Sequence, residues 1–164
     1  MSRLHSFIHR VQAQLACLDE AARLIKDVPG VVLELGLGNG RTYDHLREIL
    51  AGREIFVFDR EIASHPDSRP DAAHALLGDF RETIPAAAKR FPAQVALVHG
   101  DIGSGNKEAT LALARTVAPL LAPLLAPGAL VVSDQKLDVP GTTPMTLPQD
   151  LPVGRYYMVR MVRA

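Results

Sequence analysis

Apolar residues recur about every 3.6 positions over the first part of the chain, from Ser2 to about Lys26. This period predicts one long amphipathic helix, and Pro29-Gly30 marks its end. The apolar positions are Leu4, Phe7, Ile8, Val11, Leu15, Leu18, Ala22, Leu24 and Ile25. The apolar face of this helix must be covered, either by the rest of the domain or by another subunit.

Short apolar runs then alternate with helical patterns as far as residue 135. This alternation is typical of an α/β fold with a mostly parallel sheet and helices on both faces. The predicted strands begin at Val31 and cover 54–60, 76–80, 94–101 and 128–135, and the predicted helices cover 42–50, 72–75, 81–91 and 107–125.

The remaining residues, 136–164, predict a loop followed by an edge strand. Residues 139–152 are rich in proline and threonine, whereas residues 155–162 alternate enough for a strand. We expect this strand to be antiparallel, at or near an edge of the sheet. With 164 residues, the chain predicts a single domain, in which residues 1–28 form the leading helix and residues 31–135 the core.

Charge and cysteine content narrow the expected partners. Eighteen lysines and arginines balance eighteen aspartates and glutamates, so no overall field favours a nucleic acid or an anionic membrane surface. The single cysteine, Cys17, cannot form an internal disulfide, and the most apolar run, 117–130, contains three prolines. The sequence therefore predicts a cytoplasmic protein without a signal peptide or membrane span, with Cys17 packed inside.

Three alternate glycines follow the first predicted strand: Gly36, Gly38 and Gly40. Glycines at a strand-to-helix turn allow positive φ and close approach of a ligand, and the free N–H groups of the next helix favour polar or anionic oxygens. A dinucleotide fingerprint needs a small residue at position 41, where this chain has Arg41. The turn is a candidate nucleotide-type site.

The pattern Glu34-x-Gly36-x-Gly38-x-Gly40 resembles the first motif of the class I S-adenosylmethionine (SAM)-dependent methyltransferases. This resemblance implies a Rossmann-like fold and a shortened C-terminal hairpin. It also implies that the glycines leave room for the methionine part and ribose of SAM, and that the acid orients the amino end. The cofactor contacts expected in this turn are Glu34, Leu35, Gly36, Gly38, Asn39 and Gly40. The alternative is a glycine-rich turn without a ligand.

Asp59 ends the second predicted strand roughly 20 positions after the glycines, the interval at which nucleotide-binding folds carry an acid. Because neighbouring parallel strands end at the same edge of the sheet, its carboxylate can accept both ribose hydroxyls, with Arg60 beside it. NAD-binding folds share such an acid, so its presence does not distinguish NAD from SAM as the ligand. The alternative is a solvated aspartate at a strand end.

Gly78-Asp79-Phe80 looks like the third motif of the same family. In that family the aspartate bonds the adenine amino group and the next side chain packs on the ring, roles that suit Asp79 and Phe80. The alternative is that Asp79 only caps the helix 81–91.

The fourth strand ends at His99 and Asp101, and the resemblance implies that this strand end faces the sulfonium. His99 and Asp101 are the candidate catalytic residues, because an imidazole beside a carboxylate can act as a general base and accept a proton at neutral pH. His99 is alternatively a hydrogen-bonded wall of the cofactor pocket. Asp134 is a third candidate, with solvation at the surface favoured over catalysis. No metal is expected, because the spacing of these residues is not that of metal ligands. His5 and His9 are expected to be surface residues.

Over residues 31–135 the chain resembles class I methyltransferases. More narrowly, residues 34–43, residues 63–68 and the closing Gly154-Arg155-Tyr156 look like a small bacterial family described only as SAM methyltransferases. We expect methyl transfer from SAM, by in-line displacement, to a small-molecule acceptor. The alternatives are a SAM-binding module without transfer and an NAD-dependent oxidoreductase.

The acceptor site is expected to be formed by the first helix, the 62–71 loop, the 100–106 loop or a neighbouring subunit. A homo-oligomer through the first helix or the edge strand near Tyr156 is also expected.

Overall fold

A computed structural model describes residues 1–148, 150–152 and 154–162, and within them the chain forms four α-helices and seven strands. The helices are α1 (Arg3–Leu24), α2 (Arg41–Ile49), α3 (Phe80–Arg90) and α4 (Lys107–Leu121). The strands are β1 (Val31–Leu35), β2 (Ile55–Asp59), β3 (Ala75–Leu77), β4 (Val95–Gly100), β5 (Leu125–Ser133), β6 (Thr142–Pro144) and β7 (Tyr157–Met161).

The strands form one sheet in the order β3-β2-β1-β4-β5-β7-β6. The first five of these are parallel, and β7 is antiparallel to both of its neighbours. This confirms the Rossmann-like fold class expected from the sequence. The chain direction across the sheet reverses between β1 and β4, and in such sheets a crevice opens beyond the carboxyl ends of the strands at that point.

Two predicted strands differ from those observed by three residues at one end, whereas the others differ by at most two. β3 ends at Leu77, before the predicted 76–80 is complete, because Asp79 caps α3 and Phe80 is already helical. β5 begins at Leu125, three residues before its predicted start, because Val95 of β4 pairs with it there.

The shortened hairpin is confirmed: β6 has only three residues. β7 lies near the edge, as expected, but β6 occupies its outer side. Tyr156, just before β7, is 1% exposed. β6 pairs with β7 over residues 159–161, and association through the edge strand near Tyr156 stays a prediction.

The leading helix α1 is half buried and half exposed along its length. Toward its C-terminal end it packs on the sheet through the buried Ala13, Cys17, Leu18 and Ala21, followed by the buried Ile25 just after the helix. Leu4, Phe7, Ile8, Val11 and Leu15 are exposed, most of them toward its N-terminal end. Association through this exposed half of α1 stays a prediction.

Cys17 lies in the core, as expected, and burial raises its pKa to about 11, so the thiol stays protonated at neutral pH. Among the described helices, none combines the length and apolar character required to span a bilayer.

The division of α1 generates a stability prediction. Leu18→Ala should lower the free energy of unfolding by about 3 kcal/mol, because it leaves a cavity beneath the helix. The matched change Leu15→Ala should cost less than about 1 kcal/mol, because that side chain is 49% exposed. Urea unfolding followed by circular dichroism measures both, and equal losses would contradict the packing of α1 on its own sheet.

Candidate active site

The turn after β1 is built by three glycines with positive φ: 86° at Gly36, 52° at Gly38 and 86° at Gly40. A Cβ at Gly36 would lie 2.4 Å from the carbonyl oxygen of Asp101, and a Cβ at Gly40 would lie 2.5 Å from Cβ of Ser68. A Cβ at Gly38 would meet no atom within 4 Å among the described residues. Packing therefore requires glycine at the first and third positions, whereas Gly38 borders open space.

Asp59 holds this turn in place from the end of β2. Its Oδ2 accepts a hydrogen bond of 2.8 Å from the backbone N–H of Leu37, and its Oδ1 accepts one of 2.6 Å from that of Arg60. A carboxylate has about four lone-pair sites. Each oxygen can therefore accept a further donor, as the expected ribose contact requires.

One cavity, of about 780 Å³, lies at the ends of β1 to β4 and is here named the strand-end cavity. It brings Asp59 and Arg60 together with the third-motif residues Gly78, Asp79 and Phe80. Its lining residues are Gly36, Gly38, Asp59, Arg60, Gly78, Asp79, Phe80, Arg81, Asp101, Ile102, Gly103, Ser104, Ala109, Thr110, Ala112, Leu113 and Thr116.

Asp79 caps α3, as the alternative interpretation proposed. Its Oδ1 accepts a hydrogen bond of 2.8 Å from the backbone N–H of Arg81, and its Oδ2 accepts one of 2.6 Å from the Arg81 guanidinium. These bonds to Arg81 hold the pKa of the Asp79 carboxyl well below its usual range. The side chain nevertheless borders the strand-end cavity beside Phe80, so capping and an adenine contact are compatible, and the contact stays a prediction.

A second cavity, of about 740 Å³, lies between α1 and the glycine turn and is here named the helix cavity. α1 contributes its wall, and the ends of β4 and β5 contribute its floor. Its lining residues are Arg10, Val11, Gln14, Leu15, Leu18, Gly36, Leu37, Gly38, Asn39, Arg41, Thr42, His45, Asp101, Gly103, Ser104, Asp134 and Gln135. The two cavities share Gly36, Gly38, Asp101, Gly103 and Ser104.

The 62–71 loop, one of the segments expected to form the acceptor site, lines neither cavity. It packs behind the third glycine, where the N–H of His65 donates to the carbonyl of Asn39 at 3.3 Å. The His65 side chain is exposed at the surface.

Glu34 and His99 face each other as register partners on β1 and β4, and both are fully buried. His99 Nδ1 donates to Glu34 Oε2 at 2.6 Å, and Thr42 Oγ1 donates to Glu34 Oε1. On the other side of the ring, a hydrogen bond of 2.7 Å joins His99 Nε2 to the hydroxyl of Tyr156. Gln14 Nε2 donates to the same hydroxyl at 2.8 Å.

Burial by itself lowers the pKa of the His99 imidazole, but the Glu34 carboxylate outweighs burial and the net direction is upward. Burial raises the pKa of the Tyr156 hydroxyl, so this group stays protonated. His99 borders neither cavity, and both of its ring nitrogens are occupied. The structure therefore places His99 in a buried, hydrogen-bonded position behind the glycine turn, and its expected roles as base or as pocket wall stay predictions.

Four residues expected to contact the cofactor lie behind the turn rather than at a cavity: Glu34, Leu35, Gly40 and His99. Asn39 borders the helix cavity. The reason is the alternation of strand residues, which points Glu34 and His99 toward the buried side of α1 and α2. Direct contacts from these four stay predictions, and their observed role is to support the turn.

Asp101 and Asp134 are the carboxylates of the helix cavity. Asp101 Oδ2 accepts from Gln14 Nε2 at 3.3 Å and lies 3.6 Å from the Arg10 guanidinium. Asp134 accepts backbone N–H bonds from Ile102 and Gly103, and burial raises its pKa. Asp134 is thus half-buried and fixed, not a freely solvated strand end as expected. In the described residues no cluster of three potential metal ligands occurs.

Gln14 and Tyr156 were not singled out as site residues by the sequence. For Gln14 a signal exists, since it is the one polar residue among the positions that α1 buries in the described chain. For Tyr156 the only signal is its place in the closing Gly154-Arg155-Tyr156, which carries no chemistry by itself.

The Glu34 and His99 pair generates a pH prediction. His99 has a pKa above its ordinary 6.5 in the folded chain, so the pair stabilises fully below pH 6.5 and loses this contribution as pH rises through the folded value. Glu34→Gln removes the charge that raises this pKa. The difference in unfolding free energy between wild type and Glu34→Gln should therefore shrink as the pH rises from 6 to 9.

Urea unfolding at several pH values measures this difference. Glu48→Gln on the exposed face of α2 is the control and should show no such trend. A difference that grows with pH would contradict the predicted direction for His99.

Comparisons with known proteins identify the family. The model of a family described as S-adenosyl-L-methionine methyltransferase matches residues 1–161. A crystal structure of an S-adenosyl-L-methionine methyl transferase from Silicibacter pomeroyi DSS-3 is 48% identical, covers 98% of this chain and 99% of its own, and superposes with a TM-score of 0.94. A comparison with curated proteins gave no match.

More distant solved structures share the fold alone. Human methyltransferase-like protein 13, solved in complex with S-adenosyl-L-homocysteine (SAH), is 11% identical, with 93% of this chain and 82% of that chain covered and a TM-score of 0.62. TrmN from Thermus thermophilus is 21% identical, with 87% of this chain and 46% of that chain covered and a TM-score of 0.59. With the match over residues 1–161 and the 48% identical structure, the chain belongs to the S-adenosyl-L-methionine methyltransferase family.

Proposed function

We propose that this SAM-dependent methyltransferase methylates a small-molecule acceptor held in the helix cavity, while the nucleoside part of the cofactor occupies the strand-end cavity. The observation that carries this proposal is the shared wall of the two cavities at the glycine turn. A cofactor that spans this wall meets an acceptor on its far side, which is the arrangement that a direct transfer needs.

The residues of the strand-end cavity suit the cofactor. Gly38 leaves open space at the turn, Asp59 keeps acceptor sites for hydroxyl groups, and the ring of Phe80 offers an apolar surface to a base. SAM supplies, when bound, a methyl group on a positively charged sulfur that leaves readily.

The protein's part in such a transfer is to position the acceptor and to exclude water. α1 places the apolar Val11, Leu15 and Leu18 along one wall of the helix cavity, with Arg10 and Gln14 among them. An acceptor with an apolar face and a polar group suits this wall. Asp101, at the floor, is the group placed to take a proton from an acceptor that arrives protonated.

Size and charge favour a small acceptor over a macromolecule. The helix cavity, of about 740 Å³, falls in the range of roughly 300 to 1,000 Å³ typical of small-molecule sites. The chain has a formal net charge of zero, so it lacks the basic field that a nucleic acid acceptor would favour.

Gly38 provides a test of the cofactor site. Its φ of 52° is rare for residues with a side chain and costs alanine about 1–2 kcal/mol, a cost that the fold can bear, and a Cβ would meet no described atom within 4 Å. Gly38→Ala should therefore fold, yet weaken binding of SAH at least about tenfold, because the new methyl group occupies ligand space. Titration calorimetry measures the affinity, and thermal unfolding verifies the fold.

Gly52→Ala is the matched control, since it also has positive φ and open surroundings but lies away from both cavities. It should leave SAH affinity unchanged. Unchanged affinity in Gly38→Ala would place the cofactor elsewhere.

The acceptor class is tested by incubating the protein with methyl-labelled SAM and a cell extract divided into low-molecular-mass, protein and nucleic acid fractions. Label should enter the low-molecular-mass fraction, and Gly38→Ala should reduce this incorporation, because transfer depends on cofactor binding. Label confined to protein or nucleic acid would overturn the small-molecule proposal.

A further inference from the structure

Asp101 occupies a special position between the two cavities. Five residues of the described chain line both cavities, and four of them are glycines or a serine. Asp101 is the fifth and carries the only ionisable side chain of the shared wall. A ligand that spans both cavities therefore has this carboxylate among its surroundings.

The carboxylate is tethered on one oxygen. Oδ2 faces two donors, Gln14 Nε2 at 3.3 Å and the Arg10 guanidinium at 3.6 Å. Oδ1 has no hydrogen-bond partner within the part of the chain that the structure describes. One oxygen of Asp101 is thus held and the other stays available to a ligand.

The tether is itself fixed from the core. The amide of Gln14 is 8% exposed and also donates to the hydroxyl of Tyr156, which bonds His99, which bonds Glu34. Because Gln14 is neutral, this chain of bonds orients Asp101 without cancelling its charge. Arg10 offsets part of that charge, but its side chain is 37% exposed, so solvent screens the pair.

We propose that Asp101 is a specificity-determining residue that favours the positively charged sulfonium of SAM over the neutral thioether of SAH, and that Gln14 and Tyr156 are its positioning residues. This inference rests on the proposed function, since it requires the cofactor to span the shared wall. A carboxylate attracts a cation and has no such attraction for an uncharged sulfur. Transfer of the methyl group removes the positive charge, so the product loses this attraction and is released more readily.

The test is the ratio of the two affinities, measured by titration calorimetry of the full chain with SAM and with SAH. Asp101→Asn keeps the shape of the side chain and removes its charge. It should shift the ratio about tenfold toward SAH, chiefly by weakening SAM. The isosteric control Asp27→Asn, on an exposed aspartate beyond the far end of α1, should leave the ratio as in wild type.

Gln14→Leu tests the positioning residues, because it removes the amide that holds Asp101. It should shift the ratio in the same direction by about threefold, since the charge remains but is less well placed. A purely structural role predicts that both affinities fall alike, with the ratio unchanged. If Asp101→Asn does not fold, the ratio of SAM to SAH affinity in Gln14→Leu still tests the role of Asp101.

An unchanged ratio in both variants, with wild type binding both ligands, overturns the role of Asp101 and leaves the proposed function intact. Wild type that binds neither ligand overturns the proposed function instead.

Discussion

The buried hydrogen bond between Glu34 and His99 is the contact on which the geometry of the site depends. It joins β1 to β4, the two strands between which the chain direction reverses across the sheet. Two ionisable groups with no exposed surface are costly to bury unless their remaining polar atoms are satisfied. Thr42 bonds Glu34, Tyr156 bonds His99, and Gln14 bonds the Tyr156 hydroxyl in turn. This requirement draws α2, the C-terminal segment and α1 to the same point.

The glycine turn follows Glu34 directly along the chain and lies between the strand-end cavity and the helix cavity. Gly36 approaches the backbone of Asp101 too closely for any side chain, and Asp59 fixes the N–H of Leu37 from the neighbouring strand. The turn is therefore rigid at two points, while Gly38 remains free to face a ligand. A rigid turn is a means of holding a bound ligand in a fixed orientation.

α1 serves the core and the site with different parts of one apolar stripe. Leu18 closes the core beneath the helix, and Val11 and Leu15 continue the stripe along the helix cavity. The exposure of Val11 and Leu15 is thus explained in part by their place on the cavity wall. The same helix carries Gln14, so its packing also sets the position of Asp101.

Local pattern in the sequence determined the order of helices and strands, the parallel core, the glycine turn and the placement of Asp59 and Phe80 at one edge of the sheet. These features follow from periodicity, turn chemistry and the rule that parallel strands end together, which all act over short stretches of chain. Only the tertiary structure decided that His99 is enclosed rather than open to the cleft, that β6 covers β7, and that Gln14 meets Tyr156 across 142 positions. The physical reason is that strand order and register bring such residues together, and neither leaves a local trace in the sequence.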